Sequence, residues 1–413
     1  MVDNERILQV NKGFGDSSIL EKSGWNILQE DVSLPVAVLE ERSLQSNARW
    51  MQRFSEQAGV KLAPHGKTTM APELFSQQLS QGCWGISLAT IPQVVSAYKQ
   101  GIKRFILANQ LIGKFNCQQL VHILNDPDVE FYCFVESIEN VRYLGQFFET
   151  HQATLNVLIE IGVTGGRCGW RDLDNITPLV NAIAEQSALR LSGISFYEGV
   201  IHGDNAEADI IQFIRAIKQL FTTLYQQGYF AKKEIIITGA GSAWYDVVAK
   251  ELTHDEVFHY TPIIRPGCYL IHDTGIYQDA QQTIMQRSQI ACDIGGDLIS
   301  SLLVWAYVYA TPEPGLVIVG LGKRDAAFDA GLPTPVLHYR PGNEKPVATP
   351  SNWRAVKIMD QHLMLEVETD ADLKPGDLMC FSTSHPCLTF DKWRFIGIVN
   401  DEHVITKQVK TYF

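Results

Sequence analysis

Lys67 stands in "PHGKTT", where Pro64 and Gly66 punctuate the end of an apolar run that begins at Lys61, and "MAPELFSQQLSQG" follows as a helix-like stretch. An amine held at the end of a strand can do covalent chemistry on a carbonyl, whereas the same lysine in a solvated loop does none, and most lysines are exposed. A second stretch, "IIITGAGSAWYD" (235–246), runs a β-branched strand into Gly239, Gly241 and Ser242. Glycines let backbone N–H groups approach an anion closely and a serine hydroxyl can join them, so this is either a phosphate seat or a tight strand-to-helix turn with packing glycines. It has no Walker lysine and does not match GxGxxG, which argues against a nucleotide triphosphate or dinucleotide loop. "RPGCY", Arg265 to Tyr269, could close such a seat from the next strand. In "SHPCLTFD", His385 and Cys387 are two apart, so on an extended chain both face one side. An imidazole and a thiolate converging in this way suit zinc, although residues at this spacing also serve as ordinary core or loop residues.

The elements that must position these groups fall into two textures. From about Val36 to Asp273, short apolar runs alternate with amphipathic segments: "PVAVLE", "KLAPH", "GISLA", "RFILAN", "EFYCFV", "LNVLIEI", "LSGISF", "EIIITG" and "IIRPGCYLI" are the candidate strands. That alternation predicts an α/β fold, a (β/α)8 TIM-type barrel, with a doubly wound open sheet as the competing arrangement. After Asp273 the runs are β-rich and separated by turns, as in "LISSLLVWAYVYA", "GLVIVGLG", "GDLMCFSTSH" and "FIGIVNDEHVITKQV", predicting a second, mostly β domain. The expected division is an N-terminal segment 1–35 packing with the β domain, a barrel over 36–277, and a β-rich domain over 278–413 that carries the His-x-Cys pair. In a barrel, catalytic groups gather at the carboxyl ends of the strands, and phosphate sites recur on late strands. A lysine on an early strand with an anion seat on late strands is what pyridoxal 5'-phosphate requires.

Composition narrows the classes further. The chain has 413 residues, 46% of them hydrophobic, and a formal net charge of -12, which argues against nucleic acid as a partner because phosphate backbones need a basic face. The longest apolar run, "LLVWAYVYA", is strand-length, so no membrane span is expected. The start, "MVDNERILQV", lacks a secretory pattern, and the eight scattered cysteines form no CxxC pair; reduced thiols and a cytoplasmic location are expected. His202, His254, His259 and His272 read as surface or core histidines, with a role left open only for His202.

Taken together, "PHGKTT", "GGRCGW", "FYEGVIHG", "GAGSAWYD", "RPGCYLIHD" and "SHPCLTFDKW" resemble, in order, the D-serine dehydratase/D-threonine aldolase family of pyridoxal-phosphate enzymes, with an alanine-racemase-type barrel and the Schiff-base lysine in P-H-x-K-T. The likeness is nearest to the dehydratase branch, whose members carry His-x-Cys where the aldolases carry His-x-Asp. The resemblance implies that Lys67 carries the cofactor with His65 beside it, that Arg167 lies near its phenolic oxygen, and that Tyr197 lies near its ring nitrogen. Gly239, Gly241, Ser242, Gly267, Cys268 and Tyr269 would hold the phosphate. His385 and Cys387 would hold Zn2+, with Asp391 as a supporting group. It further implies β-elimination of water from a D-β-hydroxy-amino acid and a homodimer in which one subunit's second domain covers the other's barrel mouth. Retro-aldol cleavage, racemisation and a non-catalytic cofactor carrier are the alternatives. In "GLGKRDAAFDAGLP" the chain departs from the family's D-A-G-x-K-A, with Gly320 in place of the acid and Arg324 in place of the lysine.

Overall fold

The computed structural model describes residues 12–13, 24–231, 234–253 and 259–413. Eight parallel strands form one sheet: β2 (Lys61–Leu62), β3 (Ile86–Leu88), β4 (Arg104–Gln110), β5 (Glu130–Val135), β6 (Leu155–Ile161), β7 (Leu189–Phe196), β8 (Ile236–Gly239) and β9 (Thr261–Ile264). Each pairs with its successor from β3 to β9, and β9 pairs with β2. The remaining seam between β2 and β3 is joined by a parallel bridge, His65 to Ser87, with Trp84 N–H donating to Leu62 O at 2.7 Å and Ser87 N–H to Pro64 O at 2.9 Å. The sheet is therefore a closed barrel.

Burial on both faces explains why these strands read as near-continuous apolar runs. Ala63, Trp84, Ile106, Tyr132, Phe134, Leu158, Ile236 and Ile263 form one cluster inside the barrel. Their chain neighbours Phe105, Leu107, Phe131, Cys133, Val135, Val157 and Ile159 belong to the larger outer core with the helices. The alternation of the two sets along each strand is the period of two that a pleated strand imposes. Every barrel strand expected from "KLAPH" to "IIRPGCYLI" is present, the last of them shorter than its apolar run.

"PVAVLE" requires a correction. It forms β1 (Val36–Glu40), but this strand lies in the second sheet. There it pairs antiparallel with β10 (Leu302–Glu313) and parallel with a later strand, Phe395–Val399. Four successive buried residues suit a central strand in either sheet, so its composition does not choose between them. The rest of the second domain comprises β11 (Leu316–Val319), β12 (Thr334–Tyr339), β13 (Val347–Ala348), β14 (Arg354–Ile358), β15 (Leu363–Glu366), β16 (Leu378–Ser382), β17 (Phe395–Val399) and β18 (Ile405–Lys410). Of the N-terminal segment's described residues, Trp25, Ile27, Val32 and Leu34 pack with Leu303, Trp305 and Leu378 of this domain. No helix among the described residues is long and apolar enough to cross a membrane.

The expected break between residues 277 and 278 falls inside a helix, Ile276–Arg287. Its amphipathic signal is weak because only Gln281 and Ile284 are buried along it. Asp273 opens it: Oδ1 accepts N–H bonds from Gly275, Tyr277 and Gln278 at 3.0, 3.1 and 3.1 Å, while buried Oδ2 has no partner among the described residues. Desolvation outweighs those bonds and pushes the carboxyl up to about 6. A folded-state pKa above the unfolded value means that the folded state binds the extra proton, so this group's contribution to stability falls as pH rises from about 4 through 6. Asp273→Ala should cost about 1–2 kcal/mol through loss of the cap. Asp273→Asn should remove this part of the pH slope in urea unfolding between pH 4 and 7; an unchanged slope would refute the assignment.

Candidate active site at the barrel mouth

Lys67 lies in a single 3-10 turn, Gly66–Thr68, at the carboxyl end of β2, with its side chain exposed. Gly66 is needed there because an added Cβ would meet Phe75 Cζ at 2.7 Å and Ile86 Cγ2 at 3.0 Å. Gly267, just after β9, abuts the same turn: a Cβ on it would meet His65 O at 2.6 Å and Thr68 Oγ1 at 2.8 Å. Cys268 N–H then donates to Ser242 Oγ at 3.2 Å. The lysine turn, "RPGCY" and "GAGS" thus form one continuous lip, although β2 and β8 are distant in sequence.

An aromatic and cationic layer backs this lip. The Arg167 guanidinium lies 4.3 Å from the Tyr197 ring centroid, and a Cβ on Gly241 would sit 3.0 Å from Tyr197 Cε2. Buried Arg265 donates to Thr238 Oγ1 at 2.6 Å and Phe196 O at 2.9 Å, and sits over the Phe134 ring. Burial drives His65 well below the usual histidine range, and Lys67, Arg265 and Arg167 push it the same way. Its imidazole is therefore neutral near pH 7, and its buried Nδ1 has no partner among the described residues. Burial also raises the Tyr197 phenol, with Glu198 adding to the effect.

The second domain reaches this lip within the same chain. Cys387 Sγ lies 3.4 Å from Thr68 Oγ1 and 3.8 Å from Cys268 Sγ, and all eight cysteines are free thiols. Hydrogen bonding first from Cys268, then from His385 and Thr68, lowers the Cys387 pKa, and the same contact with Cys387 raises that of Cys268. His385 is pushed up to about 9, chiefly by its hydrogen bond with Cys387 and then by Asp329. His385 Nδ1 lies 2.7 Å from Asp329 Oδ2. The pair is not on an extended chain as expected: Pro386 is helical in φ and ψ and opens a short helix, Cys387–Phe390. Proline's fixed φ favours that start, so a helical turn and not an extended strand sets the relative direction of the two side chains.

The structure gathers most of the residues singled out from sequence and separates others. Lys67, His65, Arg167, Tyr197, Ser242, Gly267, Cys268 and Cys387 are linked by the contacts above. Tyr269 is not part of the lip through its side chain, because its hydroxyl accepts from Nε2 of Gln78, in the helix Pro72–Ser80, at 2.9 Å. Gly241 N–H is already bound by Glu198 at 2.9 Å. Asp391 pairs with Lys392 at 3.6 Å, so the carboxylate beside His385 is Asp329, from the segment that contains the Gly320 and Arg324 departures. His202 is exposed, His272 is buried against Asp273 O, and His254 lies outside the described residues. Sequence reasoning gave no role to Glu198, Thr68 or Asp329, whose partners are remote in the chain. It also passed over Glu136, Glu160 and Cys168, whose ligand atoms lie within 4.8 Å of one another. Gly169 N–H and Gln110 bond the first two.

A parallel barrel with a mostly β second domain and a lysine at its mouth defines the class of alanine-racemase-type folds. The chain belongs to the family described as alanine racemase, N-terminal domain, which matches residues 39–272; a serine dehydratase domain matches residues 301–399. It is similar to D-threonine aldolase of Arthrobacter sp, 24% identical over 376 residues and covering 90% of each chain. In structure it is similar to D-threonine aldolase from Filomicrobium marinum (TM-score 0.78, 21% identity, 94% of this chain and 97% of that one). D-threo-3-hydroxyaspartate dehydratase from Delftia sp. HT23 is also similar (TM-score 0.72, 18% identity, 94% and 99% coverage), and a cysteine-to-alanine variant of that dehydratase is described as a metal-free form. The structural likenesses establish the fold.

Proposed function

We propose that this chain is a pyridoxal-phosphate-dependent lyase acting on D-β-hydroxy-amino acids such as D-serine or D-threonine, and that it eliminates water to give a 2-keto acid and ammonia. The observation that carries the reading is the meeting of three remote segments at one lip: Lys67, the Ser242/Gly267–Cys268 turns, and Cys387 with His385. The residues fit the cofactor, since buried His65 Nδ1 beside the lysine turn has no partner among the described residues. Pyridoxal 5'-phosphate, when bound, supplies an electron sink for the electrons left on the substrate's α-carbon.

Lys67 would hold the cofactor and, once free, take the α-proton on its amine. Ser242 and the Gly267–Cys268 turn would seat the phosphate through a hydroxyl and backbone N–H groups. Neutral His65 and the Arg167–Tyr197 stack would fix the ring plane. The donor set at His385 and Cys387 fits zinc: a thiol already driven toward thiolate, beside an imidazole whose second nitrogen meets a carboxylate. Zinc, when bound, supplies Lewis acidity toward the departing hydroxyl. Asp329 would set the orientation of the His385 ring. Asp329→Asn is accordingly expected to weaken zinc binding about 10–100-fold in a competitive chelator titration. An affinity equal to that of the parent would remove Asp329 from this role.

The cysteine in His-x-Cys favours dehydration, and the metal-free form described for a cysteine variant of the Delftia dehydratase supports it. Relatives matched over most of the chain are named as aldolases, acting on D-threonine or 3-hydroxy-D-aspartate, which favours retro-aldol cleavage as the second reading. Incubation with a panel of D- and L-β-hydroxy-amino acids, with and without a chelator, separates them. The expected result is keto acid and ammonia from D-substrates, suppressed by the chelator. Glycine and an aldehyde would indicate the aldolase, inverted amino acid a racemase, and bound cofactor without product a carrier. Keto acid formation indifferent to the chelator would reject the metal's part. We also place the protein in the cytoplasm as a homodimer, with a small-molecule D-amino acid and no nucleic acid as its partner; sedimentation tests the subunit number.

A further inference from the structure

Glu198 is fully buried, and its two carboxylate oxygens accept the Ala240 and Gly241 N–H groups at 3.0 and 2.9 Å. These amides belong to the turn that otherwise looks like the anion seat. An anion lodged by chance in an open seat would be exposed to solvent, whereas Glu198 is at 0% exposure and Gly241 and Ser242 are half-buried. The clamped amides therefore face a buried carboxylate of the protein, which leaves Ser242 as the first group of the turn free to face a ligand. Ala240 has φ of 69°, a left-handed conformation that is strained for a residue with a Cβ and persists only where surrounding bonds hold it. The two bonds from Glu198 are in the right place to do so. Ser242 in turn accepts from Cys268 N–H, so a shift at Ala240–Gly241 would carry into both halves of the seat.

We propose that Glu198 is a positioning residue for the cofactor's phosphate: by clamping Ala240 and Gly241 it sets the direction in which Ser242 and the Gly267–Cys268 turn face that group. This rests on the cofactor reading above. The test titrates cofactor-free wild type, Glu198→Gln and Glu198→Ala with pyridoxal 5'-phosphate and, separately, with pyridoxal, which lacks the phosphate, following absorbance. Both variants should bind the phosphate ester about tenfold more weakly, equivalent to about 1.4 kcal/mol, while their pyridoxal affinity stays within about twofold of wild type. Glu198→Gln preserves volume and carries the test if Glu198→Ala does not fold. Unchanged or tighter binding of the phosphate ester, the latter meaning that Glu198 competes with it, overturns the proposal. An equal loss for both ligands overturns it too, because that is what a general structural role produces. A wild-type chain that folds but binds neither ligand defeats the cofactor reading itself, and the Glu198 proposal with it.

Discussion

Lys67→Ala is expected to lower product formation by about 10³-fold or more, because on the proposed mechanism one amine would both hold the cofactor and move the α-proton, and general acid–base catalysis alone is worth about 10²–10⁴-fold. The loss should appear in kcat and be accompanied by loss of the bound cofactor's visible absorbance band. Structure should be spared, since the Lys67 side chain is exposed and the turn is held by Met70 N–H donating to Gly66 O at 2.9 Å. A Lys67→Ala protein that keeps both the band and near-normal turnover would place the covalent chemistry elsewhere.

Cys387→Ala should leave the visible band intact while turnover falls about a hundredfold to a thousandfold. That is the scale of the several kcal/mol a Lewis acid contributes to a developing charge, at a factor of ten for each 1.36 kcal/mol. Metal analysis should show zinc lost, and added zinc should fail to restore the rate. The variant tests a junction as well as a ligand, because Cys387 touches Thr68 and Cys268 across the two domains. Thermal unfolding should therefore be followed in parallel. Full activity without zinc would defeat the metal's role while leaving Lys67 untouched, so the two substitutions test separate parts of the mechanism.

The alternation of apolar runs and amphipathic segments determined the repeated strand–helix units, because strand and helix periods are local properties that a chain shows without knowing its neighbours, while closure into a barrel came from the β2–β9 pairing and the β2–β3 seam. The same local logic located Lys67 after a strand, the glycine turn at 239–242 and the His-x-Cys pair. What the tertiary structure decided were the pairings between remote groups. Cys268 meets Cys387 across 119 positions, His385 meets Asp329 across 56, and Glu198 meets Gly241 across 43. A carboxylate has many amides and cations it could serve, and only the closed barrel with its neighbouring sheet selects one. The strand Val36–Glu40 shows the same division: its four buried residues specify a strand with both faces covered, while the choice of sheet is made by β10 and β17, between which it is hydrogen-bonded. Hydrophobic burial is non-directional, so it fixes that a segment goes inside; hydrogen-bond ladders and shape between distant segments fix where.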